Sequence, residues 1–191
     1  KGQVASKTLA GRITDLGEVL RVMAPDDDLQ WLRRLGVRLG AQVIPVRNKH
    51  SKLVHSEDLH ALGINLMERA LRERGPRPCS SAVMYRDGLM IALLAVRPFR
   101  LRTYSRLRID HHVIRQLEGY ILKIRPEDNK TKRDDVYPVP DDLVAALDHY
   151  IQVERPKLLG NRESDRLWIS WEGRDLADGS VHDTIEKRTK A

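Results

Sequence analysis

The chain has 191 residues, 41% hydrophobic and 32% charged, with a formal net charge of +7, enough for one large or two small domains with a sizeable core. No apolar run approaches the roughly 18 residues of a membrane span, and the lone cysteine, Cys79, excludes an internal disulfide framework and fits a reducing compartment. Thirteen basic and 9 acidic residues precede position 76, and 21 and 18 follow it, so neither half looks like an acidic regulatory partner of the other.

In chain order, the first residues, KGQVASKTLAGRITDL, carry no signal-peptide apolar core, so a cytoplasmic protein is expected. Leu9, Ile13, Leu16, Leu20 and Met23 recur at helical spacing and predict a first helix with one inward face. Pro25 with Asp26, Asp27 and Asp28 opens a second, where negative charge suits the helix dipole. Trp31, Leu32, Leu35, Leu39 and Val43 form its stripe, and Pro45 ends it. Residues 46–55 read as a basic connector. Ser56 is placed to N-cap a third helix, with Glu57 and Asp58 in its first turn and Leu59, Leu62, Leu66 and Ala70 inward. RERGPRPCS, residues 72–80, has the Gly and Pro content of a linker and divides a helical module, 1–75, from a second domain, 76–191.

Residues 81–96 are apolar nearly all round, which marks a buried helix. Six arginines and one acid follow between Arg97 and Arg115, in RPFRLRTYSRLRIDHHVIR. Leu101, Tyr104 and Leu107 recur among them at helical spacing, so a short helix over 100–106 is expected rather than a basic tail. Guanidinium groups stay protonated and can hold two oxygens at once, so an ordered cluster of them points to phosphate. Residues 107–113, 119–124 and about 134–139 alternate or are β-branched and predict a small antiparallel sheet. Asp141 and Asp142 start a helix after Pro140, with Leu143, Leu147, Tyr150 and Ile151 on one face. RLWISW (166–171) reads as a short strand or extended segment, and Gly179 and Ser180 introduce a last helix. The fold class is mainly α with a small antiparallel β-sheet.

Basic charge in both halves makes nucleic acid the leading partner class, because each neutralised phosphate releases condensed counterions. Candidate phosphate contacts are Arg33, Arg34 and Arg38 on the second helix, Arg47, Lys49 and Lys52 in the connector, and Arg97, Arg102, Arg106 and Arg108 in the arginine run, where pairing with acids such as Asp110 is the alternative. No metal and no cofactor are expected. His50, His55 and His60 are five apart and do not stack on one helix face, while adjacent His111 and His112 diverge if extended. There is no cysteine pair and no G-x-x-x-x-G-K-[ST] loop, which speaks against an NTPase.

The second half resembles the catalytic domain of the tyrosine recombinase, or phage integrase, family. YRDGLMIALLAVRPFRLRTYSRLRIDHH is similar to the family's first box: a buried helix, a tight turn, an arginine and a leucine seven residues on, here Arg100 and Leu107. NKTKRDDVYPVPDDL resembles its β-hairpin lysine followed by a strand, a proline and a helix. ALDHYIQVERPKLL and RLWISWEGRDL resemble the helix and L-F-x-S-x-x-G-x-x-L segment that follow.

The resemblance implies a SAM-like helical core-binding domain over 1–75 and a partial α+β integrase-type catalytic domain over 76–191, clamped on double-stranded DNA. It implies DNA cutting and rejoining through a 3′-phosphotyrosyl link, without ATP or metal, for integration or excision of a mobile element. Arg100 would be one of two arginines on the scissile phosphate, and Lys130 the general acid on the leaving oxygen, with Lys132 the second choice. Thr103 stands where the family often has Glu. The family's H-x-x-R and tyrosine nucleophile would come past Ala191, so the chain as it stands is expected to bind DNA without cleaving it. His112, Val113, Ile114 and Arg115 spell H-x-x-R, but before the hairpin lysine and in an extended segment where His112 and Arg115 would point to opposite faces. Tyr85, Tyr104, Tyr120, Tyr137 and Tyr150 also lie too early and read as packing. The intact protein is expected to assemble as a homotetramer on DNA in the nucleoid. The alternative is a non-catalytic DNA-binding protein that keeps the integrase fold and occupies or regulates recombination sites; a helical protein–protein adaptor is a third option.

Overall fold

The computed structural model describes residues 5–44, 53–73, 75, 77, 79–129 and 132–190. They are mainly helical, with one three-stranded antiparallel sheet. None of the helices is long and apolar enough to cross a membrane. The chain divides into two compact units, Lys1–Leu53 and Val54–Ala191.

The first unit is built on α1 (Ser6–Met23) and α2 (Gln30–Ala41). The helices approach where small residues allow it: Gly17 faces Leu32, and Gly36 faces Ile13 and Thr14. Ser6 Oγ receives the Ile44 N–H at 3.2 Å and ties the start of α1 to the segment after α2. Two helices can close only a narrow seam, so Ala10 and Leu32 are the buried residues of this pair. Leu9, Leu16 and Met23, expected inward, are exposed. The three acids precede α2 instead of occupying its first turn, and Asp28 Oδ1 accepts the Gln30 N–H at 3.0 Å.

In the second unit, α3 (Ser56–Arg72) packs on α4 (Ser80–Val96). Their closest approach is a pair of glycines. A Cβ on Gly63 would lie 2.6 Å from the Gly88 carbonyl oxygen, and one on Gly88 would lie 2.6 Å from that of Gly63. This crossing joins α3 to the second unit, so the compact units part at Leu53 and Val54 rather than at residue 75. The expected Ser56 cap is not made; Ser56 is already helical, and His55 precedes it without a side-chain cap. Helix α4 is the axis of the core, with Leu89, Met90, Ala92 and Leu93 fully buried. Even its charges are inside: Asp87 pairs with Arg86 at 2.6 Å and with Arg188 at 3.0 Å.

After α4 come α5 (Leu101–Ser105), β1 (Val113–Gln116), β2 (Gly119–Ile124) and β3 (Asp135–Pro138). The sheet order is β1-β2-β3, with Val113 opposite Leu122 and Leu122 opposite Tyr137. The strand expected over 107–113 begins only at its last residue. The preceding segment makes single bridges, Arg108 to Arg166 and Ile109 to Val113. Asp110, at φ 62°, turns it; aspartate tolerates that left-handed conformation better than most residues.

Helix α6 (Asp141–His149) runs through a π-helical turn, Tyr150–Glu154, into α7 (Arg155–Leu159). Leu167, Trp168 and Ile169 are fully buried in an extended segment outside the three-stranded sheet. Helix α8 (Asp178–Thr189) ends the description. Buried aromatic groups lock these parts together. Tyr104 OH donates to Met90 O at 2.8 Å, Trp168 Nε1–H to Tyr104 O at 3.0 Å, and Tyr150 OH to Leu167 O at 2.9 Å.

Candidate functional site

Pro98 ends the run of α4, and Arg100 caps α5 with extended backbone, φ −64° and ψ 140°. The cap position and the burial of Tyr104 and Leu107 decide the rest. With those two side chains inward, Arg100, Arg102 and Arg106 are left on the outer face. They meet Lys132, from the β2–β3 connection, around one cleft of about 510 Å³. Glu127 and Asp128 line the same cleft, so among the described residues four cations face two carboxylates. Not every cation is equally available. Arg106 lies 3.6 Å from Asp178, whose carboxyl is held below its usual range by a hydrogen bond from Ser105 Oγ and by Arg106 itself.

Asn129 is the knot of this region. It is buried, and its backbone N–H donates to Pro126 O at 3.3 Å while its carbonyl accepts the Lys132 N–H at 3.0 Å. Its side-chain oxygen accepts from Arg100 Nη1 at 3.5 Å; its amide NH₂ donates to Arg133 O at 3.1 Å and to the Asp135 carboxylate. Thr103 adds a long contact, Oγ1 to Asp128 O at 3.4 Å.

His112 is buried beside this cleft and fixes Asp128, with Nε2 at 3.1 Å from Oδ2. Its Nδ1 accepts the Arg108 backbone N–H at 3.1 Å. A ring that accepts at Nδ1 must carry its proton on Nε2 and donate it to Asp128. Burial pushes the His112 pKa down, against the pull of Asp128, which keeps the ring neutral. His111 Nε2 also approaches Asp128, at 3.8 Å. The two histidines, expected to diverge, therefore converge on one carboxylate because they sit in the turn at Asp110 and not in a strand. As a metal site the trio is poorly prepared: a bound Nε2 would need the proton on Nδ1, where the Arg108 N–H already points.

The other candidate residues lie elsewhere. Arg97 is half-buried, with Nη1 on the Val96 carbonyl at 3.2 Å and Nε without a partner. Arg108 pairs with Asp165 at 3.6 Å. Arg33, Arg34 and Arg38 are exposed on α2 in the first unit, with Arg34 reaching Gln30 at 3.4 Å. Arg47, Lys49, Lys52 and Lys130 lie outside the described residues. Arg115 pairs with Asp148 and lies over the Tyr120 ring, 4.8 Å from its centroid, in a different cleft from His112.

Four of the five tyrosines are buried and hydrogen-bonded. Besides Tyr104 and Tyr150, Tyr85 donates to Ala146 O at 3.3 Å and Tyr120 to Asp148. Burial pushes the Tyr85 hydroxyl up to about 12 and raises Tyr104 and Tyr150 as well. Such hydroxyls are poor nucleophiles. Tyr137 is half-buried, edge-on to Phe99 at 5.6 Å.

No protein-family model, curated protein or solved structure matches the chain.

Proposed function

We propose that the Arg100 cleft binds the phosphate backbone of double-stranded DNA, and that the chain carries part of a site-specific recombinase of the tyrosine type. The observation that carries this reading is the convergence of Arg100, Arg102, Arg106 and Lys132 on one cleft, the arginines from α5 and its caps and the lysine from the β2–β3 connection. Fixed cations are what phosphoryl transfer asks of a protein, since positioning and electrostatics dominate that chemistry. The neck of the β2–β3 connection reaches Arg100 through Asn129, immediately before Lys130 in sequence, which favours a lysine and an arginine acting on one phosphate. In this reading Arg100 holds non-bridging oxygens, Lys130 or Lys132 protonates the leaving oxygen, and Arg33, Arg34 and Arg38 belong to a DNA-gripping module.

Duplex binding measured against salt tests the phosphate reading. The four cations of the cleft would contribute about −3.6 to the slope, a loss of about 150-fold between 50 and 200 mM salt from the cleft alone. Arg100→Ala is expected to make that slope shallower by about 0.9. An unchanged slope would remove the cleft from DNA binding. A suicide-substrate trap separates the catalytic reading from a DNA-binding protein without chemistry: the described tyrosines give no reason to expect a covalent adduct from this 191-residue chain. A trapped adduct on any of them would overturn that expectation.

A further inference from the structure

We propose that Asn129 is the positioning residue for Arg100: it sets where the guanidinium stands and keeps its charge free for phosphate, an inference that rests on the phosphate reading of the cleft. The chemistry of the amide decides its orientation. Both its donors are engaged by acceptors, the Arg133 carbonyl and the Asp135 carboxylate, while its oxygen faces Arg100, which can only donate. Rotating the amide by half a turn would set NH₂ against guanidinium and oxygen against carboxylate, so the arrangement has one workable state.

The placement also separates opposite charges. Asp135 is an acid near an exposed arginine, yet its carboxylate is taken up by the Asn129 NH₂. The Asp128 carboxylate is taken up by His112 in the same way. Arg100 therefore meets a neutral oxygen where an ion pair could have formed. A long bond of 3.5 Å orients the guanidinium and yields readily to a charged phosphate oxygen, which binds it more strongly. It also reduces the rotamer freedom that an arginine stem would otherwise lose on binding. Asn129 is buried and anchored through its own backbone to Pro126 and Lys132, so the orienting oxygen does not move with solvent.

The test is salt-dependent duplex binding by the full chain carrying Asn129→Ala, Asn129→Asp, Arg100→Ala and each pair with Arg100→Ala, with a urea melt of each. Asn129→Asp keeps the side-chain shape, turns the neutral oxygen into a carboxylate that captures Arg100, and gives up the donors to Arg133 O and Asp135. It is expected to make the salt slope shallower by about 0.9, the same change as Arg100→Ala. Asn129→Ala removes the guide and frees the Asp135 carboxylate to pair with Arg100, so its slope is expected to become shallower as well, by up to about 0.9. In the Arg100→Ala background Asn129→Ala is expected to weaken binding no further. A wild-type slope in Asn129→Asp, or losses that multiply when Asn129→Ala is paired with Arg100→Ala, would overturn the inference. Unfolding of both Asn129 variants would overturn it too, by showing that the residue holds the loop and not the arginine. An unchanged slope in Arg100→Ala alone would instead remove the phosphate reading, and this inference with it.

Discussion

The glycine pair between α3 and α4 gives the sharpest stability test. An alanine methyl on Gly88 would stand 2.6 Å from the Gly63 carbonyl oxygen, 2.9 Å from Met67 Cγ and 3.0 Å from Leu66 Cβ. The first of these is backbone and cannot rotate away, so the helices must part by several tenths of an ångström. Gly88 lies mid-helix, where alanine on its own would gain about 1 kcal/mol. Overpacking a closed core costs about 1–3 kcal/mol, and here the rigid contact places it at the upper end. The net expectation for Gly88→Ala is a loss of about 1–2 kcal/mol. Gly11 and Gly40 have nothing within 4 Å of an added Cβ, so alanine there is expected to stabilise the first unit. Urea unfolding followed by Trp168 fluorescence reports on the second unit, because that indole is fully buried while Trp31 and Trp171 are already exposed. If Gly88→Ala raised the midpoint, α3 and α4 would not cross at these glycines, and a division of the chain near residue 75 would be restored.

Two further outcomes are expected. Asp87→Ala leaves the buried Arg86 and the half-buried Arg188 without their carboxylate, and breaking such a pair costs about 3–5 kcal/mol; a midpoint unchanged in the same urea assay would refute the network. His112 has its folded pKa below the unfolded value, so the unfolded chain takes up the proton first. Its contribution is fully present above about pH 6.5 and is lost as pH falls toward the folded pKa. His112→Gln is expected to flatten that part of a stability–pH profile, and an equally steep profile would show that other groups set it.

The legible parts of the sequence were those governed by local pattern. The uniform apolarity of 81–96 indicated a buried helix, and α4 is one; the β-branched run at 119–124 indicated a strand, and β2 spans those residues. Where a long-range contact decides, the pattern misled. The stripe on α1 has helical spacing, but nothing in the described first unit covers Leu9, Leu16 and Met23. The Gly and Pro run at 72–80 reads as a domain boundary, yet the glycines that bind α3 to α4 are a feature of packing across that run. The convergence of His111 and His112 turns on one left-handed residue, Asp110, and Asp before a histidine pair was the only local sign of it. Asn129 could have been suspected from E-D-N, a turn-forming cluster, but not its reach to Arg100.

Which arginines are paired is set by where the fold puts its acids. Asp148 occupies Arg115, Asp165 lies against Arg108, and Asp178 draws on Arg106. At Arg100 the neighbouring carboxylates of Asp135 and Asp128 are engaged by an amide and an imidazole, Glu127 lines the same cleft, and the guanidinium meets a carbonyl-type oxygen. A run of six arginines therefore does not act as one basic patch. Arg100 is the position where neighbouring carboxylates have other hydrogen-bond partners, and that allocation is what the Asn129 and Arg100 substitutions measure.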